Sequence, residues 1–158
     1  MVNNLNTHIF RSPHPDIEIP EVNLADFVFE NVSHYPDNTA LVCGMTGRQY
    51  TYEMTEQLAS KFGSAMRRLG AEKGDVIAFI LPNIPEFPIA FLGCAGAGIT
   101  VTTMNPTYKA EEIARQLENS GAKFILTIGK TLVCILKMKN KISNCHTMFI
   151  LLTRKEFY

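Results

Sequence analysis

Apolar and polar positions along the chain change their spacing several times, and the changes mark out elements. Asn23 can cap a first helix from Leu24 to about His34, with Leu24, Phe27, Val28 and Val32 on one face. Pro36-Asp37-Asn38 breaks it. Thr39 to Cys43 alternates as a strand, Gly44-Met45-Thr46-Gly47 turns, and Arg48 to Thr51 returns, so a short hairpin is expected. Thr51 can then cap a long helix to Leu69, with Leu58, Phe62, Ala65, Met66 and Leu69 as its apolar stripe. Glu53 and Glu56 near its start and Arg67 and Arg68 near its end suit the helix dipole, and Gly70 stops it.

From Val76 onward strands and helices alternate. Val76 to Leu81 is a continuous apolar run. Pro82-Asn83-Ile84-Pro85 opens a helix to about Ala97, and Pro88 is expected to distort its first turn because it lacks a donor. Gly98 leads into a Thr-rich strand, Thr100 to Met104, and Asn105-Pro106 turns the chain again. Ala110 to Asn119 reads as a helix with Ile113 and Leu117 one turn apart, stopped by Ser120-Gly121. Phe124 to Thr127 is a strand, Thr131 to about Lys139 a helix, and Thr147 to Leu152 a strand. Such alternation, with strands apolar on both faces, implies an α/β fold: a mostly parallel sheet with helices on both faces, plus the short N-terminal hairpin. Residues 1–22, with Pro13, Pro15 and Pro20, read as an extended arm, leaving 23–158 as the folded part.

Composition narrows the function classes. The chain has 158 residues, enough for one domain with a real core. Lys+Arg and Asp+Glu are 15 each, which argues against a free-standing nucleic-acid binder. The balance hides an asymmetry: residues 1–79 carry a net charge of −4 and residues 80–158 one of +4. The basic residues after Asn119 read as solvated faces and helix ends. Phe87 to Tyr108 is uncharged for 22 residues, yet its Pro, Gly and Thr content and its change of pattern fit a buried helix and strand, not a bilayer span. No apolar secretory core opens the chain, so free cysteines in a reducing compartment are expected.

The residues by themselves present no catalytic centre. Cys43, Cys94, Cys134 and Cys145 form no metal or redox pattern. His8, His14, His34 and His146 are scattered and read as structural or solvated. Gly93 to Thr100 fits a phosphate loop except that Ile99 stands where the Lys belongs. Its glycines also end a helix instead of opening one, so their N–H groups would not face an anion. The small residues read as letting this helix lie close to the sheet.

Several short strings, in one order and at one spacing, resemble the N-terminal region of the adenylate-forming enzymes. They are Tyr50-Thr51-Tyr52-Glu53-Met54, Leu69-Gly70-Ala71-Glu72-Lys73-Gly74-Asp75-Val76 and Leu81-Pro82-Asn83-Ile84-Pro85-Glu86-Phe87. Ala90-Phe91-Leu92-Gly93, Asn105-Pro106-Thr107-Tyr108 with Glu112-Ile113, and Ser120-Gly121-Ala122-Lys123 follow in register. The chain is similar to 4-coumarate–CoA ligases, luciferases and fatty acyl-CoA synthetases, most clearly over residues 24–127.

That resemblance implies two steps. A carboxylate attacks the α-phosphate of Mg-ATP, giving an acyl-adenylate and pyrophosphate, and the coenzyme A thiol then displaces AMP. It implies ATP, Mg and coenzyme A for a full-length relative and a small carboxylate as substrate. The phosphate-cradling Ser/Thr/Gly loop and the mobile C-terminal domain are absent before Tyr158. The chain is therefore expected to be an incomplete N-terminal part of the family's large domain, inactive alone. No catalytic, cofactor-binding or metal residue is assigned to it, and no cofactor to this chain itself.

The alternative is a non-catalytic, doubly wound binding or regulatory module. Its last strand, if uncovered, would invite self-association. The family includes peroxisomal and cytosolic members, and the terminal Glu156-Phe157-Tyr158 is not a Ser-Lys-Leu address.

Overall fold

The computed structural model describes residues 12–129 and 131–132, and the backbone of 148–152. Helix α1 spans Leu24–Phe29, strands β1 and β2 span Thr39–Val42 and Gln49–Thr51, and helix α2 spans Tyr52–Arg68. Then β3 (Val76–Ile80), α3 (Glu86–Gly96), β4 (Thr100–Met104), α4 (Ala110–Ser120), β5 (Phe124–Ile128) and β6 (Met148–Leu152) follow. Strands β1 and β2 pair antiparallel, whereas the main sheet is parallel throughout in the order β4-β3-β5-β6.

Both faces of the sheet are covered, and the strand period sorts the side chains between them. Ile77 and Phe79 of β3 and Phe124 and Leu126 of β5 point to one face, where Met66 of α2 and Ala90 and Cys94 of α3 meet them. Ala78, Ile80 and Ile125 point to the other, onto Ile113 and Leu117 of α4 and Met104. Ile77, Phe79, Ile80, Ile125 and Leu126 are fully buried, and each such side chain contributes about 1.5–3 kcal/mol relative to exposure. The α/β expectation, with helices on both faces, is met. The continuous apolar runs follow from that double cover.

The turns use glycine where the backbone must go left-handed. Gly98 (φ +73°) ends α3, and Gly121 (φ +61°) ends α4. Thr51 caps α2 as expected, its Oγ1 accepting the Met54 N–H at 3.1 Å.

The structure corrects three local expectations. The first helix ends at Phe29, and Val32–His34 forms a separate 3-10 turn. Its inner face is Ala25, while Leu24, Phe27 and Val28 are about half exposed. A segment apolar all round does not reveal by periodicity which side turns inward.

Of the expected α2 stripe Met66 is buried and Leu58, Phe62 and Ala65 are half-buried, but Leu69 is exposed, and the fully buried line is Thr55, Ala59, Gly63 and Met66. Small residues line that face because α2 crosses α3 backbone to backbone. A Cβ on Gly63 would lie 2.6 Å from the Gly93 carbonyl oxygen. Gly93 therefore brings α3 against α2, not against the sheet.

Pro88 leaves α3 regular. It is the third helical residue, within the turn whose N–H groups have no partner inside the helix. The Ile84 carbonyl it might have bonded accepts the Phe87 N–H instead, at 3.0 Å.

The helix expected from Thr131 to Lys139 lies outside the described residues beyond Leu132. Strand β6 agrees with the apolar run, and among the described residues no strand pairs with its outer edge.

Candidate functional site

Strand order locates where an α/β sheet of this kind binds a ligand. From β3 the chain passes through α3 to β4 on one side, then through α4 on the opposite face to β5 on the other side. The connections leaving β3 and β4 take opposite faces of the sheet at this reversal, the kind of place where open α/β sheets bind ligands at the carboxyl ends of their strands. Thr127 lies at the junction, fully buried, and its hydroxyl donates to the Ile80 carbonyl at 3.1 Å.

Two loops lie at this edge: residues 81–85 after β3 and 105–109 after β4. Asn105 shapes the second. Its Oδ1 accepts the Thr107 N–H at 3.0 Å and the Thr107 hydroxyl at 2.8 Å, closing an Asx turn. Glu112 then accepts the Lys109 N–H at 2.8 Å and fixes the start of α4.

The first loop is held by a charged cluster that sequence inspection missed. Glu86 opens α3, where the helix dipole favours a carboxylate. Its Oε1 accepts the Tyr50 hydroxyl at 2.7 Å and pairs with Arg48, whose guanidinium also lies 5.6 Å from the Tyr50 ring centre. These residues tie the hairpin to the start of α3. Beside them a shallow slot of about 260 Å³ is lined by Leu41, Val42, Asn83, Ile84, Pro85 and Phe87. The only local signal was an acidic residue just after a helix-opening proline. Its partners lie 36 and 38 positions away, beyond any motif.

Among the described residues this edge carries no reactive group. Glu86 and Arg48 neutralise each other, while Tyr108 and Lys109 are exposed. Among the described residues no three His, Cys, Asp or Glu side chains converge on a metal position. His14 and His34 are exposed, and His8 and His146 lie outside the described residues. Cys94 is sealed in the core, where burial pushes its thiol pKa up to about 12. Cys43 is also buried, at 9% exposure, but hydrogen bonding to the Thr46 side chain and the turn backbone lowers its pKa. Cys134 and Cys145 lie outside the described residues.

The Gly93–Thr100 string does not fit a nucleotide phosphate. The N–H groups of Ala97, Gly98 and Ile99 donate back to Gly93, Ala95 and Cys94 carbonyls at 2.9–3.1 Å, so none is turned to an anion. A second concavity, of about 450 Å³, lies between α1, α2 and α3, and Gly93, Gly96 and Ala97 of this string line it.

Comparison with known proteins decides the family. The profile of the AMP-binding enzyme matches residues 28–155. The chain belongs to the AMP-binding enzyme family. The 4-coumarate–CoA ligase 3 of Arabidopsis thaliana is 37% identical over 159 residues, covering 94% of this chain and 28% of that protein. The 4-coumarate–CoA ligase 1 of Petroselinum crispum is 42% identical over 120 residues, covering 75% of this chain and 22% of that protein. The chain thus spans about a quarter of the length of the curated relatives it matches.

Solved AMP-binding-type structures share the fold. A benzoate CoA ligase from Burkholderia xenovorans LB400 superposes with a TM-score of 0.75 at 22% identity, over 83% of this chain and 26% of that one. A long-chain-fatty-acid-CoA ligase from Archaeoglobus fulgidus does so at 0.80 and 17% identity, over 90% of this chain and 30% of that one. Among the described residues no helix is long and apolar enough to cross a membrane.

Proposed function

We propose that the chain is an N-terminal portion of an ATP-dependent carboxylate–CoA ligase acting on a 4-coumarate or fatty acid type of substrate. The observation carrying this reading is the collinear likeness to 4-coumarate–CoA ligases along 94% of the chain. Residues 1–22 form its arm and 23–158 its part of the AMP-binding domain. Its role is scaffold: it supplies the hairpin, the β3–β5 switch point and the helices that hold them. ATP, Mg and coenzyme A belong to the full-length form. Residues 1–158 alone do not adenylate a carboxylate. Pyrophosphate release by the purified chain, with Mg-ATP and 4-coumarate or a medium-chain fatty acid, above a heat-killed control, would overturn this.

A second reading, a non-catalytic binding module, is favoured by one observation. The two sheet edges differ. The outer edge of β4 is blunted by Gln116, whose Nε2 donates to the Thr103 carbonyl at 2.9 Å and to Thr102 Oγ1 at 3.3 Å. Strand β6, of sequence Met-Phe-Ile-Leu-Leu, has no partner on its outer edge among the described residues. In this reading the chain self-associates through β6. Sedimentation of the wild type as a dimer and of Ile150→Lys as a monomer supports it, and a monomeric wild type removes it.

A further inference from the structure

Residues 12–22 have no chemistry in the reading above. All of them are exposed, and none belongs to a helix or a strand. Their sequence explains this. Pro13, Pro15 and Pro20 have no N–H to give to a ladder or a helix. Each also disfavours the helical region for the residue before it, which biases Ser12 and His14 toward extended backbone.

Ser12 stands apart from the other hydroxyls. It is the only Ser or Thr of the chain that precedes a proline. The other exposed Ser and Thr among the described residues lie in helices, strands or turns, as Ser60 and Ser64 do in α2, Thr39 in β1 and Thr107 in its Asx turn. The Ser12 hydroxyl accepts the His14 N–H at 3.1 Å and so keeps its own proton for a base.

A protein kinase takes its substrate as an extended segment, so a residue inside a folded element must first unfold to enter the cleft. A cleft that offers the next residue an apolar pocket without an acceptor admits a proline ring, and leaves the N–H of any other residue unbonded. Ser12-Pro13-His14-Pro15 meets both requirements without loss of a folded element.

We propose that Ser12 is a phosphorylation site for a proline-directed protein kinase. The kinase's base takes the Ser12 proton, Oγ bonds the γ-phosphorus of ATP, and the bond from that phosphorus to the β–γ bridging oxygen breaks, leaving phosphoserine and ADP. Residues 12–22 hold Asp16, Glu18 and Glu21 and no Lys or Arg, so the phosphate takes the arm's charge from −3 to about −5 at pH 7. The inference does not depend on the ligase reading.

The test incubates the full 158-residue chain with a purified proline-directed kinase of the mitogen-activated type and Mg-ATP. Intact mass reads the incorporation, and peptide mass spectrometry reads the site. One phosphate per chain is expected, on Ser12, and Ser12→Ala should remove it. Pro13→Ala, which restores an N–H that the kinase pocket cannot bond, should cut the initial rate by about tenfold or more. The thermal melting curve should be the same before and after phosphorylation, because Ser12 is exposed and outside every element. Phosphate on another residue, no phosphate, an unchanged rate in Pro13→Ala, or a shifted melting curve overturns the proposal.

Discussion

Gly93→Ala is the substitution that most directly probes why α2 and α3 lie where they do. In a free helix the change is favourable by about 1 kcal/mol, because alanine has the higher propensity. Here the new Cβ would lie 2.4 Å from the Ala59 carbonyl oxygen, 3.1 Å from the Gly63 nitrogen and 3.2 Å from the Ala59 carbonyl carbon. All three are backbone atoms, so no flexible side chain can swing aside. Ordinary contact begins near 3.4 Å, so the helices must part by roughly 1 Å and loosen the packing around Ala59, Ile89 and Leu92.

Overpacking of this kind costs about 1–3 kcal/mol, and a backbone-on-backbone clash belongs at the upper end. The net loss is then about 2 kcal/mol, or roughly 4–8 °C in Tm for a domain of this size. Gly96→Ala is the internal control. It lies in the same helix, but its Cβ would meet only the Ala25 Cβ, at 3.3 Å, which yields by a few tenths of an ångström. It should be neutral or slightly stabilising. Urea and thermal unfolding followed by circular dichroism at 222 nm compare the two. A Gly93→Ala chain as stable as Gly96→Ala refutes the close crossing.

Further outcomes follow from named groups. Glu86→Ala leaves Arg48 and the Tyr50 hydroxyl without their shared acceptor and should cost about 2–3 kcal/mol, while Tyr50→Phe costs about 1, both read from urea midpoints. Asp75 accepts the Glu72 N–H at 2.9 Å and pairs with Lys123, and these hold its carboxyl pKa below the usual carboxylate range. A depressed folded pKa gives stability that is present above the unfolded value, near 4, and lost as pH falls through the folded one. The stability gap between wild type and Asp75→Asn should therefore persist at pH 7 and close below about pH 4. At pH 8 iodoacetamide should label Cys43 before Cys94 in the native chain, with Cys94 reacting only on unfolding, as followed by peptide mass spectrometry.

What could be read from the sequence divides along physical lines. Strands β3 and β5 were legible because a parallel strand covered on both faces is apolar at every position. Helix ends were legible because Thr51 and Gly121 act through local chemistry. The facing side of α1 was not, and that of α2 was legible only in part, through Met66, Leu58 and Phe62. Periodicity weights large apolar residues, whereas Gly63 and Ala59 are buried because they are small. Pro88 was misjudged because its cost depends on one position within the first turn. The Arg48–Tyr50–Glu86 cluster is a long-range product of folding and leaves no trace in spacing. Family membership was legible from ordered short strings, while the chemistry of the family left no assignable residue here.

Adenylation itself tests the central claim most directly. Purified residues 1–158, folded by circular dichroism, are incubated with Mg-ATP and 4-coumarate, and pyrophosphate is measured with a coupled assay against a heat-killed control. The account predicts no release above that control. Carboxylate-dependent release would mean that this chain holds a complete adenylating site, and would contradict its assignment as scaffold.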